Sequence, residues 1–243
     1  MTDARALNDP AHVRVQYENE AGLAARKAAY RDVTGPDPRE AAFAAVVESS
    51  PTTVLEVGCG EGELAEQLTR ETSATVVAID QSERMVELAR GRGVDARVAD
   101  IQNLPFADGA FEAVLAGWML YHVPDLDRGL GEVARVLAPG GRLVATTNAT
   151  DHLVELLALG GLERWSLPFS GENGEEQLRR HFGDVERIDL PGTVTFTDIE
   201  AVRSYFGSSD RLAPALERLP TSLDEPLVAR RSPVLFVARK RGD

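Results

Sequence analysis

Short apolar runs alternate with stretches of helical periodicity between residues 36 and 148. The runs are rich in Val, Leu, Ile and Ala, which is typical of strands that are covered on both faces. Between them apolar residues recur at helical spacing, as Leu130, Val133, Ala134 and Leu137 do before the helix-breaking "PGG" sequence. Such alternation predicts right-handed crossovers and a mostly parallel sheet. We predict strands over 53–57, 75–79, 96–100, 111–117 and 142–147.

The pattern changes on either side of this block. Residues 11–33 have helical periodicity, with Val13, Tyr17 and Leu23 on one face, and a further helix is predicted over 38–49. Beyond the block we predict two helices and two strands, namely a helix over 151–159, a helix that ends near His181, and strands over 184–190 and 232–240. We therefore expect one α/β domain over 1–243. Its core is 36–148, and the segments expected to cover one edge of the sheet are a cap, 1–35, and two lid segments, 149–182 and 192–231.

The charge and composition argue against several classes of partner. A formal net charge of −13 and an isoelectric point near 4.8 argue against nucleic acid, because a protein without a basic patch gains little from counterion release. The chain has one cysteine, Cys59, so it forms no intrachain disulfide. The first twenty residues lack the apolar core of a signal peptide, and no apolar stretch approaches the roughly 18 residues of a membrane span. We expect a cytoplasmic protein without a membrane partner.

The sequence "VLEVGCGEG" at 54–62 carries the first candidate chemistry, because it is a strand that ends in three glycines directly before a helix. In open α/β sheets ligands bind beyond the carboxyl ends of the strands, and glycines there let the backbone approach a ligand closely. Gly58, Gly60 and Gly62 are spaced G-x-G-x-G, whereas the dinucleotide fingerprint is G-x-G-x-x-G. Glu56 is unfavourable for a pyrophosphate, which needs amide donors and positive potential. It suits a cationic ligand.

Two further acids end the next two predicted strands. Asp80 can accept hydrogen bonds from both hydroxyls of a ribose, and Asp100 ends the third strand. A ligand with a ribose, a cationic amino-acid end and no phosphate is S-adenosylmethionine. The simpler alternative is tight strand–helix packing, with acids that lie at the strand ends by chance.

The chain resembles the class I S-adenosylmethionine-dependent methyltransferases, especially those that act on small molecules. The resemblance covers about residues 40–148 and is carried by "VLEVGCGEGELAEQL", "VVAIDQSERMVELAR", "VADIQNLPFADGAFEAVLAG" and "MLYHVPDLDRGLGEVARVLAPGGRLVATT". "VQYENEAGLAARKAAY" at 15–30 is similar to the helical cap of one branch. The resemblance implies a Rossmann-like α/β fold with a seven-stranded, mostly parallel sheet, one antiparallel strand, and helices on both faces.

The resemblance also implies a role for each matching position. The glycine turn, including Cys59, would line the methionine part of the cofactor, and Glu56 would favour its ammonium group. Asp80 would bind the ribose hydroxyls, and Asp100 would accept from the adenine amino group. The remaining implied contacts are Gln81, Met85 and Ile101 around the adenine, Ala116 and Gly117 near the methionine part, and Tyr17 and Arg26 at its carboxylate. Related sequences often have Asn–His where this chain has Gly117–Trp118, so a polar side chain is missing there.

Several residues after the fourth strand are candidates for catalysis or substrate binding. His122 is the best candidate for a general base because its unperturbed pKa suits proton transfer, although it could instead only position its loop. Tyr121 could hydrogen-bond the substrate or pack in the core. The other candidates, each with a structural alternative, are His152 and Glu155 at the start of the post-core helix and Trp165 and Phe169 in the following loop. No cluster has metal-ligand spacing, so we expect no metal.

The leading functional hypothesis is methyl transfer from S-adenosylmethionine to oxygen, nitrogen or carbon of a small molecule. The alternatives are a methyltransferase acting on RNA or protein, and a protein that binds the cofactor or a partner without catalysis. An NAD-dependent dehydrogenase is the remaining alternative on this fold. Neither the acceptor nor the oligomeric state follows from the sequence.

Overall fold

A seven-stranded sheet forms the centre of the computed structural model, which describes residues 32–242. The strand order is β3-β2-β1-β4-β5-β9-β6, and β9 runs antiparallel to both of its neighbours while the other pairs are parallel. The predicted mostly parallel sheet with one antiparallel strand is confirmed. Its strands are β1 (Thr53–Val57), β2 (Thr75–Asp80), β3 (Asp95–Val98), β4 (Phe111–Gly117), β5 (Leu137–Asn148), β6 (Val185–Asp189) and β9 (Pro233–Arg239).

Helices cover both faces of the sheet, and polar residues begin several of them. Asp37 accepts a hydrogen bond from the Arg39 amide at the start of α1, where Pro38 occupies the first turn. Ser82 caps α3 by accepting a hydrogen bond from the amide of Met85. The helices are α1 (Pro38–Val47), α2 (Glu63–Glu71), α3 (Glu83–Gly91), α4 (Leu126–Val136), α5 (Val154–Leu159), α6 (Gly174–Arg179) and α7 (Ile199–Gly207).

The strands of the large sheet are buried on both faces. In β1, Leu55 and Val57 belong to the core on one face and Val54 to the core on the other, since neighbouring side chains in a strand point to opposite sides. In β4, Val114 and Leu115 separate in the same way. This two-sided burial explains why the strands are continuous apolar runs in the sequence.

The boundary between α4 and β5 differs from the prediction. Leu137 continues the apolar spacing of the helix, but its backbone is extended (φ −70°, ψ 137°) and it pairs with Phe111 of β4. The strand therefore begins before the "PGG" sequence, and the register shifts between Phe111 and Ala113 to accommodate it. Pairing with a neighbouring strand outweighs the local helical pattern here.

A second, two-stranded sheet lies within the predicted lid segments. It pairs β7 (Gly192–Phe196) with β8 (Leu227–Arg231) antiparallel, and neither strand was predicted. Its buried face packs with α5 and α7 into a third apolar core, which we call the lid core, and Phe206 is fully buried there. The predicted helices of 149–182 are shorter in the structure, at Val154–Leu159 and Gly174–Arg179.

The segment that precedes α1 contacts the small sheet. Val33 forms a bridge with Val194, and the hydroxyl groups of Thr34 and Thr193 are hydrogen-bonded at 2.7 Å. The predicted helix over 11–33 lies almost wholly outside the described residues, as do Tyr17 and Arg26. Within 32–242, none of the helices combines the length and apolar character that crossing a bilayer requires.

Candidate active site

A cavity of about 820 Å³ opens at the carboxyl ends of β1, β2 and β4. This is the position at which open α/β sheets bind ligands, and the volume is in the range of small-molecule sites, about 300–1,000 Å³. Most of the site residues predicted from the sequence share its wall. They are Glu56, Gly58, Cys59, Gly60, Asp80, Gln81, Met85, Asp100, Ile101, Gly117, Tyr121 and His122.

The glycine turn has the backbone conformation that its glycines allow. Gly58, Gly60 and Gly62 have φ values of +66°, +54° and +78°, a region that residues with a Cβ rarely adopt. A Cβ on Gly62 would lie 2.7 Å from the Cβ of Ala89, so Gly62 lets α2 and α3 approach each other. A Cβ on Gly60 would meet no atom within 4 Å, so Gly60 leaves the backbone open to the cavity.

Asp80 joins the glycine turn to the end of β2. One carboxylate oxygen accepts a hydrogen bond from the Gly60 amide (3.0 Å) and the other from the Ser82 amide (2.9 Å). Burial raises the pKa of this carboxyl group above its ordinary value, and the backbone amides oppose that rise. These amides, together with that of Gln81, fix the carboxylate at the wall and leave part of its acceptor capacity for a ligand.

Glu56 is buried beneath the glycine turn, with 4% of its surface exposed. One of its carboxyl oxygens has no hydrogen-bond partner among the described residues, although the group contacts the Ala65 amide. Burial raises the pKa of Glu56 to about 8, and the nearby Asp80 adds to the rise. A buried carboxyl group with an unsatisfied oxygen is unfavourable alone and becomes favourable beside a cation.

Asp100 and its neighbours form the third part of the predicted cofactor site. Asp100 begins the short 3₁₀ helix Ile101–Asn103 and accepts a hydrogen bond from the Gln102 amide at 2.8 Å. Ile101 and Met85 are almost fully buried and present apolar surface to the cavity. Gln81, which follows Asp80 in the sequence, also lines the cavity. Apolar walls with one acceptor at the edge suit the flat face and amino group of an adenine.

Two of the predicted contact residues do not reach the cavity. Gly62 is the N-cap of α2 and lies against α3, and Ala116 is fully buried in the core of the sheet. The alternation of side chains along β4 turns Ala116 away, whereas Gly117 lies at the wall. Cys59 lines the cavity but is buried, and burial raises the pKa of its thiol well above the ordinary range, so we assign it no chemistry.

The 3₁₀ helix Leu120–His122 places both catalytic candidates at the wall. His122 is buried, with 9% of its surface exposed, and its ring contacts that of Tyr121 at 4.5 Å between centroids. Trp118, before this helix, has a left-handed backbone (φ +52°) that is unusual for a bulky residue. Its amide donates to the Thr146 carbonyl at 3.0 Å, which holds the strained turn in place.

The structure places the four candidate residues of the first lid segment, for which the sequence leaves both a functional and a structural role open. His152 is buried and lines the cavity, and so does Trp165, whose indole N–H donates to the His152 carbonyl at 2.8 Å. Phe169 is fully buried and packs on Phe236, so it anchors its loop in the core. Glu155 lies away from the cavity and accepts from the amide of Arg230.

Two arginines of the cavity wall, Arg211 and Arg231, were not anticipated. Arg231 is buried at the end of β8 and donates to the Thr34 carbonyl at 3.0 Å, and Arg211 lies over the ring of Trp165 at 4.9 Å. The adjacent pair Arg230–Arg231 could have signalled this, because in a strand one of two neighbours must face inward. The arginine pair indicates an inward-facing residue only if β8 is already known to be a strand.

The donor and acceptor set of this cavity fits S-adenosylmethionine. Glu56 provides the unsatisfied buried acceptor that an ammonium group requires, and Gly60 leaves an open backbone surface beside it. Asp80 has lone pairs available for ribose hydroxyls. Within residues 32–242 no group of three or more His, Cys, Asp or Glu side chains is placed to hold a metal ion.

Comparisons with known proteins agree on one family. The family model described as "Methyltransferase domain" matches residues 55–145. Methyltransferase GfsG of Streptomyces halstedii is 45% identical over 185 residues, which cover 73% of this chain and 65% of GfsG. Demethylmenaquinone methyltransferase of Thermus thermophilus is 41% identical over 113 residues, or 44% of this chain and 51% of that protein.

A solved structure supports the fold over nearly the whole chain. A SAM-dependent methyltransferase from Thermotoga maritima aligns with a TM-score of 0.61 and 22% identity, covering 95% of this chain and 100% of that one. The chain spans only about half to two thirds of the length of the two curated relatives. This chain therefore contains a methyltransferase domain of the class I S-adenosylmethionine-dependent type.

Proposed function

We propose that this chain transfers the methyl group of S-adenosylmethionine to an oxygen, nitrogen or carbon atom of a small molecule. The observation that carries the proposal is the continuity of the cavity. It extends from the acids at the strand ends to Trp165, Tyr205 and Leu212 of the lid segments, so one continuous space can hold a cofactor and an acceptor side by side. The names of the curated relatives, methyltransferases all, support the same reaction.

The residues of the chain act mainly by binding and orientation. The cofactor supplies an activated methyl group on a sulfonium. Glu56 would hold the cationic amino-acid end and Asp80 the ribose, so that the reactive methyl group faces the part of the cavity lined by Gly117 and the 3₁₀ helix that follows. Holding two reactants at near-attack distance can lower the activation free energy of such a displacement by up to about 7–11 kcal/mol. The lid segments 149–182 and 192–231 exclude water and shape the acceptor site.

His122 is our candidate for the general base when the acceptor is a hydroxyl group. Its burial at the wall and its contact with Tyr121 limit the ring to one region of the cavity. We expect His122→Asn to lower kcat by about 10²–10⁴-fold, and to remove an acidic limb from the pH profile, while leaving cofactor affinity unchanged. The matched control is His181→Asn, since His181 pairs with Asp127 outside the cavity. An unchanged pH profile in His122→Asn would limit this residue to a structural role.

The proposed function is tested by following tritiated methyl groups. The full chain is incubated with labelled S-adenosylmethionine and either a small-metabolite extract, purified RNA or denatured protein, with the Asp80→Asn variant as the blank. We expect label only in the metabolite fraction. Label in RNA or protein would replace the proposed acceptor class, and cofactor binding without transfer to any fraction would favour a non-catalytic role.

A further inference from the structure

Among the described residues, the charged side chains of the cavity wall divide by their place in the chain, with acids and one arginine, Arg39, before residue 149 and only arginines after it. The acidic side chains come from residues 37–100, among them Glu56, Asp80 and Asp100. The wall contributed by the described residues beyond 148 contains Arg211, Arg231 and no carboxylate. In a chain with a net charge of −13, a carboxylate-free wall with two arginines is a local reversal of charge.

The basic residues of this wall are held by one connected set of contacts. Arg211 lies over the ring of Trp165, and Trp165 donates to the His152 carbonyl. Arg231 is close enough to His152 to lower its pKa, and its own guanidinium is tied to the Thr34 carbonyl. Stacking and backbone contacts of this kind fix the orientation of a guanidinium before a ligand arrives.

His152 adds a hydrogen-bond donor of known tautomer. Its Nδ1 accepts from the Ser232 amide at 3.1 Å, so in the neutral ring the proton lies on Nε2. Burial, together with Arg231, lowers the pKa of His152 to about 3, so the ring is neutral in ordinary buffers. The neutral ring therefore carries its N–H at Nε2.

We infer that the acceptor carries a carboxylate, which Arg211 and Arg231 bind with His152 beside them, so that this wall selects acidic small molecules. A carboxylate matches planar guanidinium groups in both charge and geometry, which a neutral amide of the same shape cannot do. The inference rests on the proposed function, because it names the acceptor class of the same cavity. It assigns these three residues to substrate recognition.

The test uses pairs of ligands that differ only in charge. The protein is first saturated with S-adenosylhomocysteine, and its affinity for that compound is recorded. It is then titrated calorimetrically with a panel of aryl and alkyl carboxylic acids, each beside its own carboxamide. We expect the acids that bind to do so at least about tenfold more tightly than their amides, as charge-assisted hydrogen bonds imply. Arg211→Gln and Arg231→Gln should each remove that preference and leave the affinity for S-adenosylhomocysteine within about twofold.

Arg230→Gln is the matched control, because Arg230 is the neighbour of Arg231 on β8 and pairs with Asp151 outside the cavity. It should keep the preference for acids. Since Arg231 is buried, Arg211→Gln at its half-buried position decides the result if Arg231→Gln does not fold.

Two results would overturn the inference. One is equal binding, or equal absence of binding, of acids and amides across the panel. The other is a loss of S-adenosylhomocysteine affinity of about tenfold or more in the arginine variants, which would assign the arginines to the carboxylate of the cofactor. Failure of the wild-type protein to bind S-adenosylhomocysteine would instead refute the proposed function.

Discussion

The carboxyl group of Glu56 is buried in an environment that disfavours its ionised form. The carboxyl group is buried, one oxygen lacks a partner among the described residues, and its pKa is raised to about 8. Near neutral pH the proton is therefore retained, because ionisation in this environment is unfavourable. A cation that binds beside it reverses the preference, so cofactor binding and proton release are coupled.

That coupling predicts a measurable proton release. At pH 7 a group with a pKa of about 8 is roughly 0.9 protonated, so binding of S-adenosylhomocysteine should release up to about 0.9 proton from Glu56. The measurement is calorimetric titration in buffers of different ionisation enthalpy. Glu56→Gln should release fewer protons by that amount. Equal proton release in the two proteins would show that Glu56 is already ionised.

The same residue makes stability depend on pH. Because the folded pKa lies above the unfolded one, the contribution of Glu56 is fully present below about pH 4.5 and is lost as pH rises through about 8. Without cofactor, the free energy of unfolding of the wild type should fall relative to Glu56→Gln by roughly 2–5 kcal/mol between pH 5 and pH 8. Urea unfolding at several pH values measures this. A constant difference between the proteins would contradict it.

At the scale of elements, the connection from β1 to α2 depends on two different uses of glycine. Gly60 and Gly62 both have positive φ, but only Gly62 lies where a Cβ would meet another helix. The first keeps the backbone open to the cavity, and the second allows α2 and α3 to pack closely.

This difference predicts unequal effects of the same substitution. Gly60→Ala should lower the free energy of unfolding by about 1–2 kcal/mol, the cost of a left-handed backbone for a residue with a Cβ. Gly62→Ala should cost about 1–3 kcal/mol more, because overpacking against Ala89 adds to the backbone term. Urea unfolding of the two variants provides the comparison, and equal losses would contradict the packing role of Gly62.

The elements predicted correctly from the sequence are those whose pattern is set by burial alone. β1 and β4 lie inside the sheet with apolar residues on both faces, and their bounds match the prediction at both ends. β7 and β8 were missed because "GTVTF" and "LVARR" are half polar and pair with each other outside the large sheet. Their partner is distant in the chain, and local pattern carries no information about it.

The site residues also fall into a group that local sequence predicts and a group that it does not. The acids that end β2 and follow β3 could be predicted, because the ends of parallel strands meet at one edge whatever the details of the fold. The positions of Arg211 and Arg231 could not, since they depend on how the lid segments fold back over that edge.

Residues 32–242 form one large sheet with a core on each face and a small sheet that packs into a separate lid core. The acids at the strand ends belong to the large sheet, whereas Arg211, Arg231 and Trp165 come from the segments around the lid core. Under the proposed function, cofactor binding and acceptor binding would therefore depend on different cores.

Two buried phenylalanines test that separation. Phe206 lies in the lid core and Phe236 in the core of the large sheet, and both are fully buried. Phe206→Leu should accelerate amide hydrogen exchange in β7 and α7 while leaving the affinity for S-adenosylhomocysteine within about twofold. Phe236→Leu should lower global stability by about 1–3 kcal/mol. A tenfold loss of cofactor affinity in Phe206→Leu would show that the two parts act as one unit.

The selection of a cationic, phosphate-free nucleoside cofactor by carboxylates at neighbouring strand ends underlies the proposed function. It is tested most directly by calorimetric titration of the wild type and Asp80→Asn with S-adenosylhomocysteine and with NAD, with Asp95→Asn, an exposed acid at the start of β3, as the control. We predict that the wild type and Asp95→Asn bind S-adenosylhomocysteine and not NAD, and that Asp80→Asn loses about 1–3 kcal/mol of that affinity. Binding of NAD, or full affinity in Asp80→Asn, would contradict the account.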